Sequence, residues 1–255
     1  MNLNLNLSLA GNYSSNAQIA RVLTENWVND NIYCPRCGEF PLSKFENNKP
    51  VADFQCSNCK EQYEVKSTKG KFTNRVQDGA YSTMIDRITS SQNPNFFLLN
   101  YTNAYTVSNL LIIPKQFFTP DVIIKRKPLS AIAKRAGWVG CSIDISQIAN
   151  SGKVYLIHNS TQIDRKIVNE SFNNLLFLRA QSFETRGWLL DVLKCIESIE
   201  SETFTLDDVY SFEVELGLKH PENNHIRAKI RQQLQTLRDK SAVEFLGKGN
   251  YRKAF

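Results

Sequence analysis

Cys34-Pro-Arg-Cys37 and Cys56-Ser-Asn-Cys59 form two cysteine pairs separated by eighteen residues. Zn²⁺ takes four thiolates in a tetrahedron, and a two-residue gap lets both sulfurs of one pair turn toward the same ion. The spacing therefore predicts a structural four-cysteine zinc site, which leaves no open position for a reacting water. A pair of disulfides or four buried thiols is the other reading, one that suits a secreted chain better. Cys141 and Cys195 each stand alone in an apolar stretch and read as inert core thiols. No cysteine or carboxylate pattern accompanies His220 and His225, so a second metal site is not expected there.

The second cysteine pair lies between Asp53 and the triplet Glu64-Val65-Lys66. On a strand Glu64 and Lys66 point to the same face, about 6–7 Å apart along it. If residues 51–55 form the neighbouring strand, Asp53 comes opposite them, and two carboxylates and an ammonium can share one site. Carboxylate oxygens suit Mg²⁺, which keeps several waters and takes one or two carboxylates plus a substrate phosphate. Asp53 and Glu64 are thus candidate ligands of a catalytic magnesium, which would polarise a phosphoryl group and help generate hydroxide. Lys66 would orient the water or neutralise developing charge. The same residues also describe the solvated outer face of a strand pair.

Around these residues the elements can be read from periodicity. Ile19, Val22, Leu23 and Trp27 recur at helical spacing over 15–29. Strands are predicted at 51–55 and 62–67, a helix at 76–90, and strands at 95–102, 107–114, 137–146 and 153–158. This is a mixed α+β domain with an α/β-type core and an inserted four-cysteine zinc site. From Trp188 the pattern changes to helices at 188–199, 205–216 behind Thr205, and 223–240 behind an asparagine cap. "AVEFLGKGNYRKAF" then reads as a hairpin. Three helices and a hairpin make a winged helix, so the domains are expected at 1–182 and 183–255.

Composition is ordinary for a globular chain, 42% apolar and 22% charged, and no apolar run is long enough to span a membrane. The N-terminus shows no basic segment before an apolar core, which points to a cytoplasmic address and no membrane partner. The net charge of +6 is unevenly spread. Residues 182–222 hold ten acidic and three basic side chains, and 223–255 hold eight basic and two acidic. A basic end suits nucleic acid. On the last helix Ile226, Ile230, Leu234 and Leu237 face the core, with Arg227, Arg231 and Arg238 beside them. Ala228, Gln232 and Gln235 are candidates to meet DNA bases, and Asn224, Arg227 and Arg231 are further candidate DNA contacts. Lys248, Tyr251, Arg252 and Lys253 of the hairpin would serve phosphates. A second basic segment carries Lys125, Arg126, Lys127, Lys134 and Arg135, with Trp138 close behind.

An aspartate strand, an E-x-K strand and flanking helices occur in this order in the PD-(D/E)xK nuclease superfamily. The likeness becomes specific in "YCPRCG", "FENNKPVADFQC", "VQDGAYSTMIDR", "NPNFF", "RKPLS", "KRAGWVGC", "SIDISQ", "NNHIRAKIRQQLQTLRDK" and "GKGNYRK". Together, through nearly the whole chain, these resemble the DpnI family of methyl-directed (type IIM) restriction endonucleases. The resemblance implies a zinc-bearing PD-(D/E)xK domain and a winged helix. It also implies Mg²⁺-dependent hydrolysis of double-stranded DNA at GATC sites with N6-methylated adenine, and methyl recognition by both domains. The family's catalytic positions fall on Asp53, Glu64 and Lys66 and its zinc ligands on Cys34, Cys37, Cys56 and Cys59, without departure. An indole suits a small apolar methyl group, so Trp138 is a candidate methyl contact; a core tryptophan is the alternative. A monomer acting on DNA is expected. The rival of another class is a non-catalytic zinc and winged-helix regulator that binds DNA without cutting it.

Overall fold

The computed structural model describes residues 1–45, 52–90, 93–174 and 176–254. The chain divides into two compact units, Met1–Gln147 with Gly152–Asn173, and Ile148–Ser151 with Asn174–Phe255.

The larger unit begins with α1 (Asn16–Asn31), whose buried side chains include Leu23, Glu25, Trp27 and Val28. Next come β1 (Ser43–Lys44), β2 (Phe54–Gln55), β3 (Gln62–Lys69), β4 (Arg75–Ala80), α2 (Tyr81–Thr89), β5 (Asn95–Tyr101) and β6 (Val107–Ile113). The unit continues with β7 (Ile123–Lys125), β8 (Gly140–Asp144), β9 (Val154–His158), β10 (Thr161–Gln162) and α3 (Arg165–Asn174). A seven-stranded sheet runs in the order β1-β2-β3-β5-β6-β9-β10. Only β3 and β5 are parallel, with Glu64 opposite Phe96 and Lys66 opposite Leu98; the other pairs are antiparallel. All seven residues of β5 are buried, as a strand covered on both faces requires. α1 lies against β3, where Thr24 Oγ1 donates to Ser67 Oγ at 3.2 Å. A three-stranded antiparallel sheet, β4-β8-β7, stands beside the first.

The structure corrects several expectations. Residues 76–90 are not one helix: β4 occupies the first part and α2 starts at Tyr81. Val76, Asp78 and Ala80 alternate inward along β4, and Gly79 is a poor helix residue, so cross-strand pairing with β8 prevails. Of the strand expected at 51–55 only Phe54 and Gln55 pair as a ladder, and Val51, with Pro50 before it, lies outside the described residues. β8 is shorter than the expected 137–146, because Gly137 takes a φ of 77° and Trp138 joins the preceding loop. Helix α3 and the short strands β1, β7 and β10 carry too few apolar residues in register to show a period.

The smaller unit contains α4 (Phe183–Ser198), β11 (Thr203–Thr205), α5 (Leu206–Tyr210), α6 (Glu213–Lys219), α7 (Ile226–Asp239), β12 (Val243–Gly247) and β13 (Asn250–Lys253). α4 begins earlier than its apolar run suggests, since Ser182 Oγ accepts from Thr185 N. Residues 205–216 form two helices instead of one. Thr205 and Asp208 make a reciprocal capping box at the start, and Ser211 Oγ donates to the Asp208 carbonyl where α5 ends. Neither asparagine caps α7. Asn223 Oδ1 accepts from His225 N in a turn before the helix, and His225 occupies the cap position without a side-chain bond. Ile230, Leu234 and Leu237 are buried, and Ile226 is half-buried. β12 and β13 form a hairpin with β11 added at the edge, giving a winged-helix arrangement. Its turn places Gly247, Lys248 and Gly249 at φ values of 94°, 50° and 77°.

Candidate active site

The four cysteine sulfurs lie within 4.8 Å of one another. Cys34 and Cys59 are 3.4 Å apart and Cys37 and Cys56 3.5 Å, close to the ~3.8 Å edge of a tetrahedron with 2.3 Å zinc–sulfur bonds. The two turns have the same build. Cys34 N donates to Glu39 O and Cys56 N to Glu61 O, while Gly38 N and Lys60 N return to the carbonyls of Cys34 and Cys56. Burial pushes the Cys34 and Cys59 thiols up, so deprotonated sulfur there calls for a cation. Geometry and donor chemistry both fit zinc. The turns are also tied down: Arg36 Nη1 meets buried Glu61 at 2.9 Å, and Asn173 of α3 donates to Arg36 O at 3.0 Å. Tyr63 OH lies 3.0 Å from Cys34 Sγ, and its ring stacks on Phe97 at 5.0 Å. A residue of β3 thereby touches the cysteine cluster directly.

One residue beyond Tyr63 the second cluster starts. Asp53 N donates to Tyr63 O and Asp53 O accepts from Phe45 N, both at 2.9 Å, so the backbone of Asp53 is held on two sides. The β2–β3 ladder ends at the Phe54–Tyr63 pair, and Asp53 Oδ2 takes the Val65 N–H beyond it at 2.7 Å. Burial pushes the Asp53 carboxyl up to about 6; the Val65 N–H opposes this, and the charges of Glu25 and Glu64 add to it. Glu25 is buried on α1, 3.0 Å from Lys44 Nζ.

Glu64 and Lys66 do share a face of β3. Lys66 Nζ is 2.5 Å from Glu64 Oε1 and 2.5 Å from Asp78 Oδ1 on β4. The second oxygen of Glu64 is 3.0 Å from Arg87 Nη2 on α2. Burial acts to lower the Lys66 pKa, but Glu64 and Asp78 outweigh it and hold the ammonium above its usual value. Asp53 and Glu64 are a pair of hard donors whose like charges a divalent cation would relieve. Among the described residues, the cysteines are the one gathering of three or more metal-ligating side chains. A cavity of about 330 Å³ opens beside Lys66, lined by Thr68, Phe72, Arg75 and Gln77 among others.

Sequence reasoning does not single out Asp78, Arg87 or Glu25. Asp78 lies in a stretch whose spacing suggests a helix; the glycine after it argues against that helix, and in the structure it falls at an irregularity of the β4–β8 ladder. Arg87 and Glu25 approach the cluster from helices, and only tertiary structure brings them there.

The expected DNA residues take varied positions. Arg126, Lys134 and Arg135 are exposed with Lys127 on the segment around the β7–β8 loop. Trp138 is half-buried; Arg135 stacks on its ring at 4.6 Å, and its Cη2 sits where a Cβ on Gly140 would be only 2.7 Å away. On and before α7, Asn224, Ala228, Arg231, Gln232 and Gln235 are exposed. Arg227 bonds Glu213 at 2.7 Å and stacks over Tyr210, so it ties α7 to the preceding helices. In the hairpin Lys248 is exposed at the turn and Arg252 pairs with Glu244 across the strands. The Tyr251 ring packs on Phe204 at 5.5 Å, and the Lys253 ammonium bonds Ile199 O.

Two family models match the chain, dividing it some residues later than the compact units do. The model of the Dam-replacing family named DpnI matches residues 1–181, and that of the Dam-replacing HTH domain matches residues 184–253. The chain therefore belongs to the DpnI family, joining a mixed α+β domain with a cysteine cluster to a helix-turn-helix DNA-binding domain.

Proposed function

We propose that the chain is a methyl-directed endonuclease that hydrolyses phosphodiester bonds of double-stranded DNA at GATC sites with N6-methylated adenine. The observation that carries this reading is the meeting of Asp53, Glu64 and Lys66 around β3, inside the region matched by the DpnI family model. In this reading the larger unit is a PD-(D/E)xK-type nuclease, the smaller a winged-helix reader, and the protein acts as a monomer. Zinc on Cys34, Cys37, Cys56 and Cys59 is structural.

Asp53 and Glu64 would hold magnesium, which when bound would polarise a phosphoryl oxygen and favour deprotonation of the attacking water. Val65 N–H fixes the Asp53 carboxylate, leaving its other oxygen for this task. Glu64 is already neutralised on both oxygens, by Lys66 and Arg87, so it must release part of that pairing. Asp78 keeps Lys66 in place meanwhile, leaving an ammonium where charge develops on the phosphate. Trp138, held by Arg135 and Gly140, serves as the methyl contact of the larger unit, and exposed Gln232 and Gln235 meet base edges from α7. Lys248 and Arg252 serve phosphates.

The test compares variants on methylated and unmethylated GATC duplexes. Asp53→Ala is expected to abolish cutting of the methylated duplex while retaining binding, and Trp138→Ala to weaken the preference for the methylated duplex. An Asp53→Ala protein that cuts at full rate would discredit the site, and an unchanged preference in Trp138→Ala would remove the methyl contact.

A further inference from the structure

The segment joining β7 to β8 has an unusual surface. From Lys125 to Trp138 it contains five basic residues and no acidic one. It is not a loose connection. Arg126 N donates to Gly140 O at 2.9 Å, and Leu129 N to Trp138 O and Gly137 N to Leu129 O, both at 3.0 Å, closing its base. Turn bonds from Ala133 N to Ser130 O and from Ala136 N to Ala133 O fold the tip back on itself. The side chain carried outward by that tip is apolar: Ile132 is 97% exposed, the most exposed of the large hydrophobic residues described.

A lone exposed isoleucine is ordinary on a protein surface. What differs here is its setting, an apolar apex on a hydrogen-bonded projection whose flanking charges, Arg126, Lys127, Lys134 and Arg135, are all positive and exposed. Charge of one sign selects a polyanion, and among polyanions a DNA duplex offers apolar surface between two rows of phosphates. Proteins insert isoleucine or leucine from basic elements into DNA grooves in this manner. A pre-folded tip loses little conformational entropy on docking. We propose that the β7–β8 loop enters a groove of duplex DNA, with Ile132 buried against base edges at its apex and Lys134 and Arg135 on the flanking phosphates. This rests on the DNA-cleaving reading above and adds to it a contact that is apolar and independent of salt.

Salt dependence separates the two kinds of contact. The full-length zinc-loaded protein is titrated with a duplex carrying one GATC methylated on both strands, across a salt series, with calcium replacing magnesium to prevent cutting. Ile132→Ala is expected to bind on the order of tenfold more weakly at every salt concentration, with an unchanged slope of log affinity against log salt and an unchanged melting temperature. Lys134→Ala should reduce that slope by about one. Ile132→Ala binding within about twofold of the parent, an altered slope for that variant, or a loss of affinity matched by a lower melting temperature would each overturn the proposal. If the parent protein fails to bind this duplex, the DNA-cleaving reading falls and the proposal with it; if the parent binds and Ile132→Ala binds equally, only the proposal falls.

Discussion

Asp53 sits where its proton is favoured, buried and facing the charges of Glu25 and Glu64, with a carboxyl pushed up to about 6. Because the unfolded value lies lower, this group stabilises the folded protein fully below the unfolded pKa and loses that contribution as pH rises through about 6. Without magnesium, the melting temperature of the protein relative to Asp53→Asn should therefore fall between about pH 4 and about pH 8, and added magnesium should remove the fall. A pH-independent difference would mean that Asp53 is not perturbed. Asp78 gives a second test at this scale. If the proposed endonuclease site is right, its 2.5 Å contact with Lys66 makes it a positioning residue, so Asp78→Asn should lower kcat about tenfold with KM nearly unchanged, and Asp78→Glu should recover part of the loss. A change confined to KM, or none, would contradict that role. Glu64 and Lys66 could be placed on one face from strand alternation alone, whereas Asp78, Arg87 and Glu25 could not, since each belongs to another element. An ion pair between strands that are not sequence neighbours leaves no periodic trace.

At the scale of elements, the cysteine turns and the carboxylate strand are one construction. The second turn lies between Asp53 and Glu64 in sequence, and Tyr63 of β3 reaches Cys34. Zinc removal is therefore expected to misalign Asp53 and β3, so verified zinc-free protein should lose cutting that added magnesium cannot restore. Full magnesium-dependent cutting by protein shown by metal analysis to lack zinc would refute this. Elements with many apolar residues in register, such as β5, β6 and α7, were legible in the sequence. Elements set by local competition were not: β4 resembles a helix until its pairing with β8 is seen, and Ser211 divides a helix that its apolar pattern makes continuous.

For the molecule as a whole, the concentration of basic charge after residue 223 is carried by α7 and the hairpin of the smaller unit, the region matched by the HTH family model. Several of those charges, Arg227 and Arg252 among them, have acidic partners within the unit, so net charge overstates what is offered to DNA. The exposed glutamines of α7, the basic β7–β8 loop and the carboxylates around β3 have a shared purpose only if the protein both reads and cuts DNA. Incubating the protein and magnesium with two plasmids, identical except for adenine methylation at GATC, tests that most directly. Cutting of the methylated plasmid alone is the expected result; binding without cutting, or cutting confined to the unmethylated plasmid, would contradict it.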